Sequence, residues 1–148
     1  MPEKDAGTQL DSFAKLEQLT AKLPLFAVLD RCQGSPNCKR AVEELKVERG
    51  TCIKFPLYTY GGLVSVDRFV FCPGTVMGAH IHSGEVQVLF VYLGKATVEL
   101  DGNKIALQAG ESVVIPANVV HNFISDSEVR CISIVYPAGS YSAKGVLP

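Results

Sequence analysis

The histidines of this chain are few, and their spacing suits the binding of a metal ion. Three histidines, His80, His82 and His121, occur among 148 residues. The first two stand two residues apart, so on a strand their side chains would share one face. Two such imidazoles and a third from a distant strand can bind a divalent ion of iron, nickel, zinc, manganese, cobalt or copper. The alternative is three packed imidazoles without a metal.

Glycine, glutamine and proline residues surround these histidines in two patterns. The first pattern reads Gly74, five residues, His80-Ile81-His82, four residues, Gln87, six residues, Gly94. The second pattern reads Gly110, five residues, Pro116-Ala117-Asn118, two residues, His121, three residues, Ser125. Over residues 51–137 these spacings resemble the two motifs of the cupins. The chain departs from those motifs where a glutamate is replaced by Gln87, a glycine by Asn118 and an asparagine by Ser125.

The resemblance implies an all-β double-stranded β-helix, or jelly-roll barrel, that holds a divalent transition metal. The ligands that it implies are His80, His82, Gln87 and His121. Imidazoles and an amide are neutral, so the ion would keep its full charge and favour an anionic substrate group or hydroxide. An amide is a weaker ligand than a carboxylate, and the alternative is a site of three histidines and water. Asn118 suits a left-handed backbone, and Ser125 is interpreted as a loop change of little consequence.

Three further residues are candidates for catalysis: Glu85, Arg68 and Tyr60. Glu85 follows His82 too closely to be a ligand, so it is either an acid or base at the pocket mouth or a solvated turn carboxylate, and the second interpretation is favoured. Arg68 could bind a substrate carboxylate, or it could form a surface ion pair with Asp67 or a neighbour. Tyr60 lies on an early strand and could add a polar contact.

The elements that must position these residues are short β-strands. The strand-like segments are TCIKFPLYTY, LVSVDRFVF, AHIH, EVQVLFVYL, KATVEL, KIALQ, SVVIP, VVHNFI and VRCISIVY. Pro56 predicts an edge position for the first segment, and Asp101-Gly102 predicts a hairpin turn. Short strands separated by glycine and proline favour an antiparallel sandwich or barrel.

The chain divides into three parts: residues 1–50 as an N-terminal helical extension, residues 51–137 as the barrel, and residues 138–148 as a tail. Apolar residues at helical spacing between positions 10 and 25 indicate one helix. The segment CKRAVEELKVERG, at positions 38–50, indicates a second short helix.

Both faces of the strand that carries Gln87 are apolar, so both must be covered. Leu89, Val91 and Phe123 have the same parity as the predicted ligands and should line the pocket. On the other face, Val86, Val88, Phe90 and Tyr92 would pack against the N-terminal helices or a second subunit. We expect a homodimer to which the N-terminal segment contributes.

The composition excludes several classes of partner. Hydrophobic residues make up 47% and charged residues 20% of the chain, and the net charge is -1 without a run of lysine or arginine. Nucleic acid is therefore not expected as a partner, and no apolar run is long enough to span a membrane. The polar N-terminus and the five cysteines favour a cytoplasmic protein with reduced thiols. Cys32 and Cys38 could still pair under oxidising conditions.

Taken with the resemblance, these features predict a metal-dependent enzyme for a small keto, sugar-acid or phenolic substrate. The reaction could be that of a dioxygenase, or that of an isomerase or lyase in which the metal stabilises an oxyanion. The alternative is a non-catalytic binding or sensor protein with a structural metal. The fold alone does not choose between these functions.

Overall fold

The computed structural model describes residues 28–36, 38 and 40–137. The chain divides into two compact units, residues 1–32 and residues 33–148. In the first unit the described residues form a single turn, in which the amide of Arg31 donates to the carbonyl of Val28 at 3.2 Å. The helix expected between positions 10 and 25 and the tail 138–148 lie outside the described residues.

The described part of the second unit consists of antiparallel β-strands. They are β1 (Glu43–Leu45), β2 (Cys52–Tyr60), β3 (Val64–Phe71), β4 (Val86–Leu93), β5 (Lys95–Leu100), β6 (Asn103–Gln108), β7 (Ser112–Ile115), β8 (His121–Ser125) and β9 (Val129–Tyr136). One sheet has the order β1-β2-β3-β9-β4-β7, and the other has the order β6-β5-β8. The all-β jelly-roll architecture is therefore confirmed.

Side chains alternate along each strand between the inside of the barrel and its outer face. Along β3, for example, Ser65, Asp67, Phe69 and Phe71 are buried, and the residues between them are only half-buried. Both sheets contribute to the core, where the rings of Phe71 and Phe123 stack with their centroids 4.6 Å apart. The two inner faces thus pack on each other and leave room between them for a site.

The segment between β3 and β4 runs as a loop alongside β8. Val76 forms an isolated bridge with Ile124, and His80 forms one with His121. The prediction of a strand at AHIH is therefore wrong, because only His80 of this segment is paired in the manner of a strand. At the tip of the β5–β6 hairpin, Asp101 and Gly102 have φ values of 48° and 79°, which confirms the predicted turn.

The helix predicted over positions 38–50 is also wrong. Residues of this segment form β1, which pairs antiparallel with β2 at Glu43↔Lys54 and Leu45↔Cys52. The Lys54 Nζ atom lies 3.1 Å from Glu43 Oε2. Strong helix formers such as Glu and Leu follow the tertiary environment when an unpaired strand edge is available to them.

The edge position predicted for β2 is correct for its second half. In the described residues β1 pairs only with Cys52–Lys54, and Pro56 lies beyond that pairing, where the register with β3 shifts between Pro56 and Tyr58. A proline is tolerated at such a place because no ladder hydrogen bond is lost. Within 28–36, 38 and 40–137, no helix is long and apolar enough to cross a membrane.

Candidate metal centre

The fold brings the three histidines together between the two sheets. His121 begins β8, and His80 is held opposite it by two backbone hydrogen bonds of 2.9 Å. His82 follows in the same loop, and its carbonyl accepts a hydrogen bond from the amide of Asn118 at 2.9 Å. The ring centroids lie 4.2 to 5.1 Å apart, and one ring nitrogen from each histidine lies within 4.8 Å of the other two.

Backbone carbonyls orient two of the imidazoles. The Nδ1 atom of His80 lies 2.7 Å from the carbonyl of Gly78, and that of His121 lies 2.9 Å from the carbonyl of Val119. A carbonyl only accepts, so Nδ1 must carry the proton and Nε2 must present its lone pair. This is the arrangement that a metal-binding histidine usually adopts.

The site keeps the imidazoles of His82 and His121 neutral. Burial, reinforced by the neighbouring ring of His80, lowers the pKa of His82 from 6.5 to about 4. Burial also lowers the pKa of His121 to about 4, although the hydrogen bond to Val119 acts in the opposite direction. Neutral imidazoles are the form that binds a metal, so no proton has to be displaced from these two rings at neutral pH.

Gln87 approaches the histidines from the opposite sheet. It is buried on β4, and its Nε2 donates to the hydroxyl of Ser133 on β9 at 2.9 Å. Gln87 and the three histidines line one cavity of about 100 Å³. The rest of the lining is apolar and consists of Leu45, Phe69, Phe71, Met77, Leu89 and Phe123. The predicted lining role of Leu89 and Phe123 is confirmed, and Val91 is buried deeper in the core.

Glu85 is not the solvated turn residue that the sequence favoured. Its exposure is 1%, and its Oε2 lies 3.5 Å from His82 Nδ1. The tight turn at Gly84, where φ is 73°, folds the carboxylate back under the imidazole. Carboxylates in this position set the orientation and basicity of a metal-binding histidine. Glu85 is thus placed behind His82 and not in the cavity lining.

The other two catalytic candidates lie away from the cavity lining. Tyr60 is 60% exposed at the end of β2. Arg68 faces outward, with its guanidinium 4.2 Å from the centre of the Phe55 ring. Of the partners expected for Arg68, Asp67 is excluded, because neighbouring strand residues face opposite sides. Asp67 points inward and pairs with Arg40 at 2.9 Å.

Two of the departures from the motif have structural roles. Asn118 adopts a φ of 64°, as expected, and its Oδ1 accepts a hydrogen bond from the amide of Gly84 at 3.1 Å. Ser125 is not a loop residue without consequence: it is buried at the end of β8, and its hydroxyl donates to the carbonyl of Cys72 at 2.6 Å. It also accepts from the amide of Thr75 at 3.0 Å.

A residue that sequence reasoning missed connects His80 to the outer surface. The Oδ1 atom of Asn122 accepts a hydrogen bond from the amide of Gly78 at 2.9 Å, and the carbonyl of that residue holds His80. The Nδ2 atom of Asn122 donates to Glu99 at 3.4 Å, beside a solvent-open depression of about 330 Å³. A polar residue next to a candidate ligand was the only signal of this role in the sequence.

The residues present fit a metal ion. The Nε2 atom of His121 is fully buried and has no hydrogen-bond partner in the described residues. A buried acceptor without a partner costs free energy, and a bound ion would remove that cost. Three neutral imidazoles are ligands suited to a first-row divalent ion, and they do not select one metal among that series.

Comparison with known proteins agrees with this geometry. The sequence model of the family described as the cupin domain matches residues 67–135, which include both histidine motifs. Residues 67–135 of this chain are therefore similar to a cupin domain.

Solved cupin structures share the barrel. KdgF from Halomonas sp. superposes with a TM-score of 0.57 at 24% identity, covering 64% of this chain and 86% of that one. An RmlC-like cupin from Shewanella frigidimarina gives 0.59 at 24% identity, covering 72% and 95%. A predicted oxalate decarboxylase from Thermotoga maritima gives 0.60 at 16% identity, covering 66% and 93%. At these identities the likeness shows the cupin fold alone.

One curated relative matches part of the cupin domain. The polyketide synthase CurC of Streptomyces cyaneus is 30% identical over 67 residues, which cover 44% of this chain and 44% of that protein. The chain therefore spans less than half the length of this relative, and the relative's activity is not carried over from such a match.

Proposed function

We propose that this cupin is a metal-dependent enzyme acting on a small oxygen-containing substrate. The observation that carries the proposal is the buried Nε2 of His121, which has no partner among the described residues and lies within 4.8 Å of ligand atoms of His80 and His82. When bound, a divalent ion would supply a Lewis-acid centre for an oxygen of the substrate. His80, His82 and His121 would hold it, and Gln87 would be a fourth ligand.

The cavity offers a small, mostly apolar space beside the histidines. Its volume of about 100 Å³ equals that of roughly three water molecules at ~30 Å³ each. Phe69, Phe71 and Phe123 line it, so the bound group meets an apolar wall that excludes water and strengthens electrostatic interactions. A keto acid, a short sugar-acid fragment or one end of a phenolic molecule would suit such a space.

Elemental analysis tests the metal site directly. Protein purified without chelator should contain close to one equivalent of a single first-row metal, and the triple variant with His80, His82 and His121 replaced by Ala should contain none. Less than a tenth of an equivalent, with no rebinding of iron, nickel, zinc, manganese, cobalt or copper, would contradict the proposal. A screen of small keto and phenolic acids, in air and under nitrogen, then separates dioxygenase from isomerase or lyase chemistry.

A second candidate function is a non-catalytic binding or sensor protein with a structural metal. It is favoured by the lining of the cavity, because the described lining residues include no carboxylate, lysine or arginine that could serve as a second acid or base. Water relaxation measurements on the manganese-loaded protein discriminate the two functions. An exchangeable water on the ion supports an enzyme, and a closed ligand set supports the structural role.

We also propose that the protein is a homodimer located in the cytoplasm. The outer face of the larger sheet carries a continuous apolar row across its strands, formed by Tyr58, Val66, Ile134, Val88 and Val114 in register. Val114, at one end of the row, is 54% exposed. Apolar side chains in this arrangement favour contact with another apolar surface.

A further inference from the structure

Polar side chains interrupt the apolar inner face of the larger sheet beside the cavity. They are Ser65 and Asp67 on β3, Ser133 on β9 and Gln87 on β4, and all four are buried. Asp67 and Ser133 are paired residues on adjacent strands, and so are Gln87 and Val135. Buried polar groups persist when each has a partner, so the contacts among these residues bear on what Gln87 can do.

The side-chain amide of Gln87 can point either its carbonyl oxygen or its NH₂ group towards the histidines. Its carbonyl oxygen is an acceptor and can bind a cation, whereas its NH₂ group is a donor and repels one. The structure engages Nε2, which donates to the hydroxyl of Ser133 at 2.9 Å. The oxygen end is therefore left for the cavity that Gln87 shares with His80, His82 and His121.

We propose that Ser133 is a positioning residue that holds the Gln87 amide with Oε1 towards the three histidines. This role rests on the metal site proposed above and deepens it. A carboxylate can face the ion with either oxygen, whereas an amide can bind it only if its oxygen end, and not its NH₂ end, is turned towards the ion. Ser133 does not itself line the cavity, and it acts only through Gln87.

Asp67 is the acceptor that lies across from Ser133 on the inner face of the larger sheet. A serine hydroxyl can donate to an amide oxygen or accept from an amide NH₂, so it selects one orientation only if its own hydrogen is directed elsewhere. Asp67 lies opposite Ser133 on the same inner face, where cross-strand side chains are ~5 Å apart. Its carboxylate already accepts from Ser65 at 3.2 Å and pairs with Arg40 at 2.9 Å. Among the described residues no hydrogen bond joins Ser133 to Asp67; as part of the proposal, the Ser133 hydrogen turns towards this carboxylate, and the oxygen lone pair is left for Gln87.

The test compares metal binding of Ser133→Ala with that of the wild type. Cobalt(II) serves as the probe, because its visible absorption reports coordination number as well as occupancy. We expect Ser133→Ala to weaken cobalt binding about ten-fold or more, the usual effect of losing a residue that orients a ligand, and to change the cobalt spectrum. Ser133→Cys keeps the volume but offers only a weak acceptor, and it should give the same spectral change.

Ser65→Ala is the matched control. Ser65 is another buried serine on the same inner face, it contacts Asp67 and not Gln87, and its replacement should leave the cobalt spectrum and affinity within two-fold of the wild type. If both alanine variants lose affinity equally, the effect is a general disturbance of the inner face, and the proposed role of Ser133 is overturned.

A double-mutant cycle gives the sharper outcome. In a Gln87→Glu background either carboxylate oxygen can face the ion, so Ser133→Ala should weaken binding less than three-fold there. An equal loss in both backgrounds, or no change on Ser133→Ala while the wild type binds cobalt, would overturn the role of Ser133 alone. Absence of cobalt binding by the wild type would instead overturn the metal site and this role together.

Discussion

At the scale of single residues, two carbonyl groups determine how the histidines can act. His80 and His121 each place Nδ1 against the carbonyl two residues earlier, at 2.7 and 2.9 Å. The same local geometry, repeated on two separate segments, exposes both Nε2 lone pairs between the sheets. The buried carboxylate of Glu85 lies behind His82 at 3.5 Å. Two of the rings are thus oriented by carbonyls outside the cavity lining, and the third has a carboxylate beside it.

The metal-free protein should lose stability on mild acidification. The unfolded chain binds a proton at His82 and His121 near pH 6.5, whereas burial keeps the folded pKa of each at about 4. The unfolded state then binds more protons between these values, so the free energy of unfolding falls as the pH falls through this window. Thermal unfolding with chelator should show a Tm several degrees lower at pH 5 than at pH 7.

His121→Gln is the control for that measurement. It removes one of the two titrating groups, so its Tm should depend less steeply on pH between 7 and 5. A wild-type Tm that is constant over this range would contradict the assignment of neutral, buried imidazoles.

The cysteines should differ sharply in reactivity. Burial and the neighbouring Cys72 raise the pKa of Cys52 to about 12, and burial raises the pKa of Cys131 as well. Cys72 is exposed, and all three are free thiols. Because the thiolate is the reactive form, an alkylating reagent at pH 8 should label Cys72 much faster than Cys52 or Cys131. Peptide mapping measures this, and equal rates in all three peptides of the native protein would contradict it.

At the scale of elements, the loop between β3 and β4 carries two of the histidines and is held from both sides. Asn118 accepts from Gly84 on one side, and Asn122 accepts from Gly78 on the other. Thr75 is anchored by Ser125 at the start of the same loop. Side chains of β8 and of the turn before it therefore hold this loop in place by hydrogen bonds, as strand pairing would hold a β-strand.

Two replacements of Asn118 should distinguish the contribution of its backbone conformation to stability from that of its hydrogen bond with Gly84. Asn118→Ala loses the bond to Gly84 and also places alanine at a φ of 64°, and we expect it to lower the free energy of unfolding by about 2 kcal/mol. Asn118→Gly loses only the side-chain contact, so its cost should be about 1 kcal/mol. Urea denaturation of both variants checks this, and equal losses would contradict a role for the backbone conformation.

Replacing Asn122 should weaken the metal site through His80. Asn122→Ala removes the acceptor for the amide of Gly78, whose carbonyl orients the imidazole. We expect zinc affinity to fall about ten-fold, as for other changes behind a ligand. Asn103→Ala, at an exposed position of the β5–β6 hairpin, is the control and should bind zinc as the wild type does. Competition with a zinc chelator measures the affinity of both variants. An unchanged affinity in Asn122→Ala would contradict a role of Asn122 in orienting His80 through Gly78.

At the scale of the whole molecule, the prediction concerns the oligomeric state. The apolar row on the outer face of the larger sheet favours a homodimer. Light scattering coupled to gel filtration should give twice the chain mass of 15.9 kDa at micromolar concentrations. Val114→Glu, at the exposed end of the apolar row, should shift this mass towards the monomer because a charge in an apolar contact is unfavourable. A wild-type mass equal to one chain at every concentration would contradict the homodimer.

Sequence periodicity predicted short antiparallel strands in a sandwich or barrel and the inward side of the strand that carries Gln87, and the resemblance to the cupins specified the jelly roll. Strand alternation predicted that Gln87, Leu89 and Phe123 point inward, and the spacing of His80, His82 and His121 predicted their convergence. These predictions succeed because a period of two is a local property of the strand backbone.

Tertiary structure decided which of these inward residues meet, and what surrounds them. Gln87 and Ser133 are in contact although they are 46 residues apart in the sequence, and Asn122 and Gly78 are in contact although they are 44 residues apart. No local sequence pattern predicts such pairs. The strand at β1 and the burial of Glu85 depend likewise on a sheet edge and a turn that only the folded chain provides. The resemblance of the sequence to the cupin motifs therefore predicted the ligand set, and the carbonyls that orient His80 and His121 are local to each histidine. The packing of β9 against β4 decided the contact of Gln87 with Ser133, because that partner is distant along the chain.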